Sequence, residues 1–74
     1  MRKKTPSELL WIDKEKKVIS CDETNKVLNE NFSEVCSIIQ NALDDAMLLG
    51  CDESDFKDKI KKLTENLKFS IGKR

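Results

Sequence analysis

Three cysteines, Cys21, Cys36 and Cys51, are the strongest nucleophiles and the only soft metal ligands in this sequence, and each stands fifteen residues from the next. Even spacing along a chain does not bring side chains together. On one straight helix Cys21 and Cys36 would lie about 22 Å apart, whereas a zinc site needs each thiolate about 2.3 Å from the same ion. The sequence has no histidine, so no imidazole can activate a thiol or complete a zinc set. It also has no CxxC pair to resolve a disulfide. The expectation is no catalytic residue, no metal and no cofactor, with the cysteines serving as small apolar residues on or beside a buried seam. Cys21 stands apart, because it falls at the start of an expected helix, where free N–H groups lower a thiol pKa and Asp22 and Glu23 oppose that effect. An odd cysteine count without paired spacing fits a reducing compartment, so the cytoplasm is the expected location.

Charged residues offer two further candidates. Asp44, Asp45, Asp52, Glu53 and Asp55 gather near one another in sequence, but they lack the order and the central glycine of a calcium-binding loop. Acids at 52, 53 and 55 are better explained as stabilising a helix N-terminus. The cluster Lys57, Lys59, Lys61, Lys62, Lys68, Lys73 and Arg74 is the one feature suited to nucleic acid or an anionic surface, yet no helix-turn-helix spacing or aromatic platform accompanies it. Charge is sorted along the chain: residues 1–19 carry +3, residues 20–55 carry −8 and residues 56–74 carry +5, giving a net charge of zero. Such sorting suits an acidic helix lying beside a basic one better than a uniform nucleic-acid-binding surface.

The elements that carry these residues follow from periodicity. Hydrophobic and charged shares are both 38%, glycine and proline total three residues, and the aromatics are Trp11, Phe32, Phe56 and Phe69. This composition fits amphipathic helices and leaves few sites for tight β-turns. The expected fold is all-α, one small domain over residues 1–74, with an antiparallel helical hairpin across residues 20–71. Ser20-Cys21-Asp22-Glu23 matches a capping box and starts a long helix over about 21–49. Its seam is Leu28, Phe32, Val35, Ile39, Ala42, Ala46 and Leu49, widened by Cys36, Leu43 and Met47. Gly50 is placed to close that helix in a left-handed conformation and Asp52 to cap the next. A second helix over about 53–70 then presents Phe56, Ile60, Leu63 and Leu67. A link of about three residues forces the two helices to be antiparallel neighbours.

Residues 5–19 admit two readings. Thr5-Pro6-Ser7-Glu8 is a second capping box with proline at the first helical position, which favours a short helix through Leu9, Leu10 and Ile12. Leu10-Trp11-Ile12-Asp13 and Lys17-Val18-Ile19-Ser20 could instead pair as a two-stranded ribbon around Lys14-Glu15-Lys16. Met1-Arg2-Lys3-Lys4 leads into no long apolar stretch, so neither a signal peptide nor a membrane span is expected.

A long arm of roughly 43 Å and a short one of roughly 27 Å do not match. The short helix leaves Val27, Leu28 and Phe32 without cover. Either the front segment, anchored by Trp11, folds over them and closes a monomeric bundle, or another chain does. A single core in so short a chain rarely supplies more than about 3 to 5 kcal/mol. Cys36, Ile38, Leu43, Met47 and Leu48 beside the seam favour a second copy, with two hairpins forming a dimeric four-helix bundle. The expected function is therefore non-enzymatic, through self-association or binding another helical protein. The alternative is a small regulator that contacts nucleic acid through the lysine-rich second helix.

Ser20-Cys21-x-Glu23, Lys26-Val27-Leu28-Asn29-Glu30-Asn31, Ala42-Leu43-x-Asp45-Ala46 and Leu49-Gly50-Cys51-Asp52-Glu53 together resemble a family of short alphaproteobacterial helical proteins. The resemblance covers residues 20–55 and implies a bacterial, cytoplasmic setting. It implies no activity and transfers no functional residue.

Overall fold

The computed structural model of the protein describes residues 9–71. The capping box at Thr5-Pro6-Ser7-Glu8 lies outside them. Two helices form, α1 over Asp22–Leu48 and α2 over Glu53–Glu65, and no strand is present among the described residues. The chain divides into two compact units, Met1–Gln40 and Asn41–Arg74.

In the first unit, the front segment takes the ribbon reading. Ile12 and Val18 form one antiparallel bridge. Asp13 N–H donates to the Lys17 carbonyl at 2.7 Å and Ile19 N–H to the Trp11 carbonyl at 2.8 Å. These bonds flank the bridge, so Ile12 and Val18 are a non-hydrogen-bonded pair with side chains close together. Lys16 N–H donates to the Asp13 carbonyl and Lys16 has φ +70°. That is a three-residue loop whose last residue is left-handed. The Asp13 carboxylate accepts from the Glu15 and Lys17 N–H groups at 2.8 and 3.0 Å, locking the tip from inside.

The ribbon sets where α1 begins. Ile19 gives its N–H to the ribbon and its carbonyl to the Asn25 side-chain amide at 2.9 Å, so Ser20 is held as a connector. The first helical bond runs from Asn25 N–H to the Cys21 carbonyl at 3.0 Å. Cys21 therefore occupies the cap position expected of Ser20, and the helix starts one residue later than the capping box indicates.

The second unit contains the end of α1, the turn and α2. Gly50 has φ +91°, Cys51 N–H donates to the Ala46 carbonyl at 2.8 Å and Gly50 N–H to the Met47 carbonyl at 3.2 Å. This pair of bonds is the Schellman closure. Asp52 caps α2, its carboxylate accepting from Asp55 N–H at 2.8 Å. The two helices are thus joined by Leu49, Gly50, Cys51 and Asp52 alone, a link short enough to return the chain alongside itself.

The second helix stops at Glu65, five residues short of the expected end at 70. Asn66 ends it: its N–H is shared between the Lys62 and Leu63 carbonyls, and its side-chain amide donates to the Lys62 carbonyl at 3.0 Å. An asparagine side chain that takes a helical carbonyl competes with propagation. Leu67 consequently lies beyond the helix it was expected to line. By length, α1 spans about 40 Å and α2 about 20 Å, which deepens the mismatch between the arms.

Candidate interaction surface

No described residue is buried. Half-burial marks the faces that do have cover. Along α1 these are Asn25, Leu28, Asn29, Ile39, Leu43 and Ala46. The line from Leu28 through Phe32, Val35 and Ile39 continues to half-buried Leu43 and Ala46. Leu43 takes the place that strict heptad spacing gives to Ala42, which is exposed. The seam was expected to reach Leu49, but the Schellman turn carries that residue out of the helix, and it is 86% exposed.

In the first unit the cover on α1 is the ribbon. Its residues alternate in the period-two manner of paired extended chains: Leu9, Trp11 and Ile19 are half-buried, while Leu10, Ile12 and Val18 are exposed. The Trp11 indole N–H donates to the Asn29 side-chain oxygen at 2.8 Å. Its ring meets Phe32 edge-on, with centroids 5.7 Å apart and planes at 74°, a favoured aromatic geometry. Phe32 is still 39% exposed, and Val27, Val35 and Ile38 are exposed further round the helix. In the second unit Leu43, Ala46, Phe56 and Ile60 are half-buried. Met47, Leu63 and Leu67 are exposed, as are Phe69 and Ile71 beyond α2.

Sequence reasoning identified the apolar residues and overlooked the polar ones that dock the ribbon. Asn25 and Asn29 hold it to α1, and Asp13 shapes its tip. The legible signal was Asp13, an aspartate opening a turn four residues before its partner. The two asparagines carry no sequence signal, because only the docked ribbon gives them partners.

Charges are arranged locally. Along α2, Glu53–Lys57, Asp55–Lys59 and Asp58–Lys62 are ion pairs at 2.9, 2.9 and 3.1 Å, all i,i+4 and all exposed. Acid before lysine at this spacing is the favourable order for a helix. Both Asp55 oxygens accept from the Lys59 ammonium, and the resulting hydrogen bond and charge attraction hold Lys59 above its ordinary pKa. Three lysines of the basic cluster thus have partners on their own helix, a simpler use than the expected pairing of α2 with the acidic α1.

All three cysteines are free and exposed, whereas they were expected on or beside a buried seam. Among the described residues no group of three or more cysteines, histidines or carboxylates is placed to hold a metal. Cys21 lies below the ordinary thiol pKa. The Thr24 hydroxyl hydrogen-bonded to its sulfur is the main cause, assisted by the N–H groups of Thr24 and Glu23 and opposed by partial desolvation and the Asp22 charge. The Cys51 thiol instead donates to the Asp52 carbonyl at 3.5 Å. No described helix is long and apolar enough to cross a membrane. No family model, curated protein or solved structure matches this chain.

Proposed function

We propose that this is a non-enzymatic helical protein that works by self-association, with the apolar face of α1 as its binding surface. The observation that carries the proposal is the absence of any buried side chain among the described residues, alongside exposed Val27, Val35 and Ile38 on one face of α1. Burial of such side chains contributes roughly 1.5 to 3 kcal/mol each, as an upper figure before association entropy is subtracted. A few of them rival the whole stability of a domain this small. In this proposal two copies pair as a dimer in the bacterial cytoplasm, the α1 face of each taking its cover from the other. A helical partner of different sequence is the nearest variant of the same reading.

Binding to nucleic acid through the lysine-rich helix has less support. Lys57, Lys59 and Lys62 would have to exchange existing carboxylate partners for phosphates. Thermal unfolding at several protein concentrations tests the proposal: the melting temperature of a dimer rises with concentration, and an apolar interface keeps it high in salt. A melting temperature independent of concentration, together with a steeply salt-dependent affinity for a nucleic-acid duplex, would replace self-association with the nucleic-acid reading.

A further inference from the structure

The exposed apolar residues in the first half of α1 fall in one stripe. At about 100° per residue, Val27, Asn31, Val35 and Ile38 share an arc of about 80°, apolar except at Asn31 and exposed throughout. Carboxylates of Glu23, Glu30 and Glu34 border its outer edge, and Lys26 is the only base on this helix, already 3.9 Å from Glu30. Two such stripes packed antiparallel would bring the acidic borders together, and like charges across an interface are costly. The stripe therefore calls for an apolar partner flanked by positive charge.

The same chain carries that partner. After α2 stops at Glu65, Leu67, Phe69 and Ile71 recur at every second residue, 67%, 74% and 73% exposed. Lys68 lies between them, Lys73 and Arg74 follow, and no acid occurs after Glu65. The segment has the composition the stripe lacks, with apolar side chains and only positive charge.

We infer that the segment from Leu67 to Ile71 of one copy covers the Val27, Val35 and Ile38 stripe of a second copy, and that the exchange is reciprocal. This rests on the self-association proposed above and names its contact. A reciprocal exchange is self-complementary under a two-fold axis and closes at two chains. Each copy contributes six large apolar side chains to it, and Glu30 and Glu34 face Lys68 of the other copy's segment.

The test uses the full chain and measures mass by light scattering across a concentration series. Phe69→Asp and Val35→Asp each alter an exposed residue, so helicity by circular dichroism is expected to persist. Each should raise the dimer dissociation constant by about tenfold or more. Glu34→Lys and Lys68→Glu should each weaken the homodimer by about tenfold, since every dimer contains the altered contact twice. Mixing those two variants should restore a dimer near wild-type strength, because the mixed pair has no like-charge contact. A dimer that survives Phe69→Asp but dissociates with Val35→Asp would overturn the tail contact and leave self-association standing. Failure of the mixed charge variants to recover would likewise overturn it, the tail then lying on its own helix or elsewhere. Wild-type protein of monomer mass throughout would overturn both.

Discussion

Gly50 is the residue on which the turn most depends. Its φ of +91° lies where L side chains are strained, although a Cβ there would meet nothing within 4 Å. The cost of a substitution is therefore conformational rather than steric crowding. Gly50→Ala should destabilise the protein by about 1 to 2 kcal/mol in denaturant unfolding; an unchanged midpoint would mean that the turn does not contribute to stability. Lys16 is the converse case, a lysine at φ +70° where glycine is the favoured residue. Lys16→Gly should be neutral or stabilise the ribbon by up to about 1 kcal/mol, read as slower amide exchange at Asp13 and Ile19. Cys21 gives a chemical prediction. Its lowered folded-state pKa favours the thiolate, so this contribution to stability is present above the unfolded thiol value and is lost as pH falls through the lower folded one. Alkylation followed by mass spectrometry should label Cys21 ahead of Cys36 and Cys51 near neutral pH, and Thr24→Val should reduce the lead. Equal labelling at all three positions would show that the Thr24 bonds do not act on the sulfur.

At the scale of elements, caps and turns were the most legible features, because each is specified by one or two residues in a fixed local geometry. Gly50 and Asp52 do what their types and positions implied. Asp52→Ala should lower stability by about 1 kcal/mol, whereas Asp52→Ser or Asn should retain most of it. At each helix end that moved, a side-chain amide takes a backbone carbonyl. Asn66 takes the Lys62 carbonyl and stops α2 at Glu65, and Asn25 takes the Ile19 carbonyl and shifts the start of α1 past Ser20. Nothing in a periodic pattern anticipates a side chain that prefers a backbone carbonyl. The front segment was ambiguous for a different reason, since an isolated two-stranded ribbon is marginal and its stability comes from docking. Trp11→Phe keeps the aromatic ring and removes the donor to Asn29. It should speed amide exchange in the ribbon while leaving α2 unaffected. Unchanged exchange would assign the docking to the Trp11–Phe32 ring contact and the Asn25 bond to the Ile19 carbonyl.

At the scale of the molecule, the sequence showed amphipathic helices but not which apolar residues would find cover. That depends on helix lengths, and α2 is shorter than its periodicity suggested. Val27, Val35 and Ile38 lie on a face that the ribbon leaves open. An exposed stripe, with no buried residue among the described ones, is the physical reason to expect a second copy. Sedimentation equilibrium of the full chain, from low micromolar to near-millimolar concentration, tests this most directly. The account predicts a mass that rises from 8.5 kDa towards twice that value and fits a monomer–dimer equilibrium. A constant mass of 8.5 kDa across the range would contradict it.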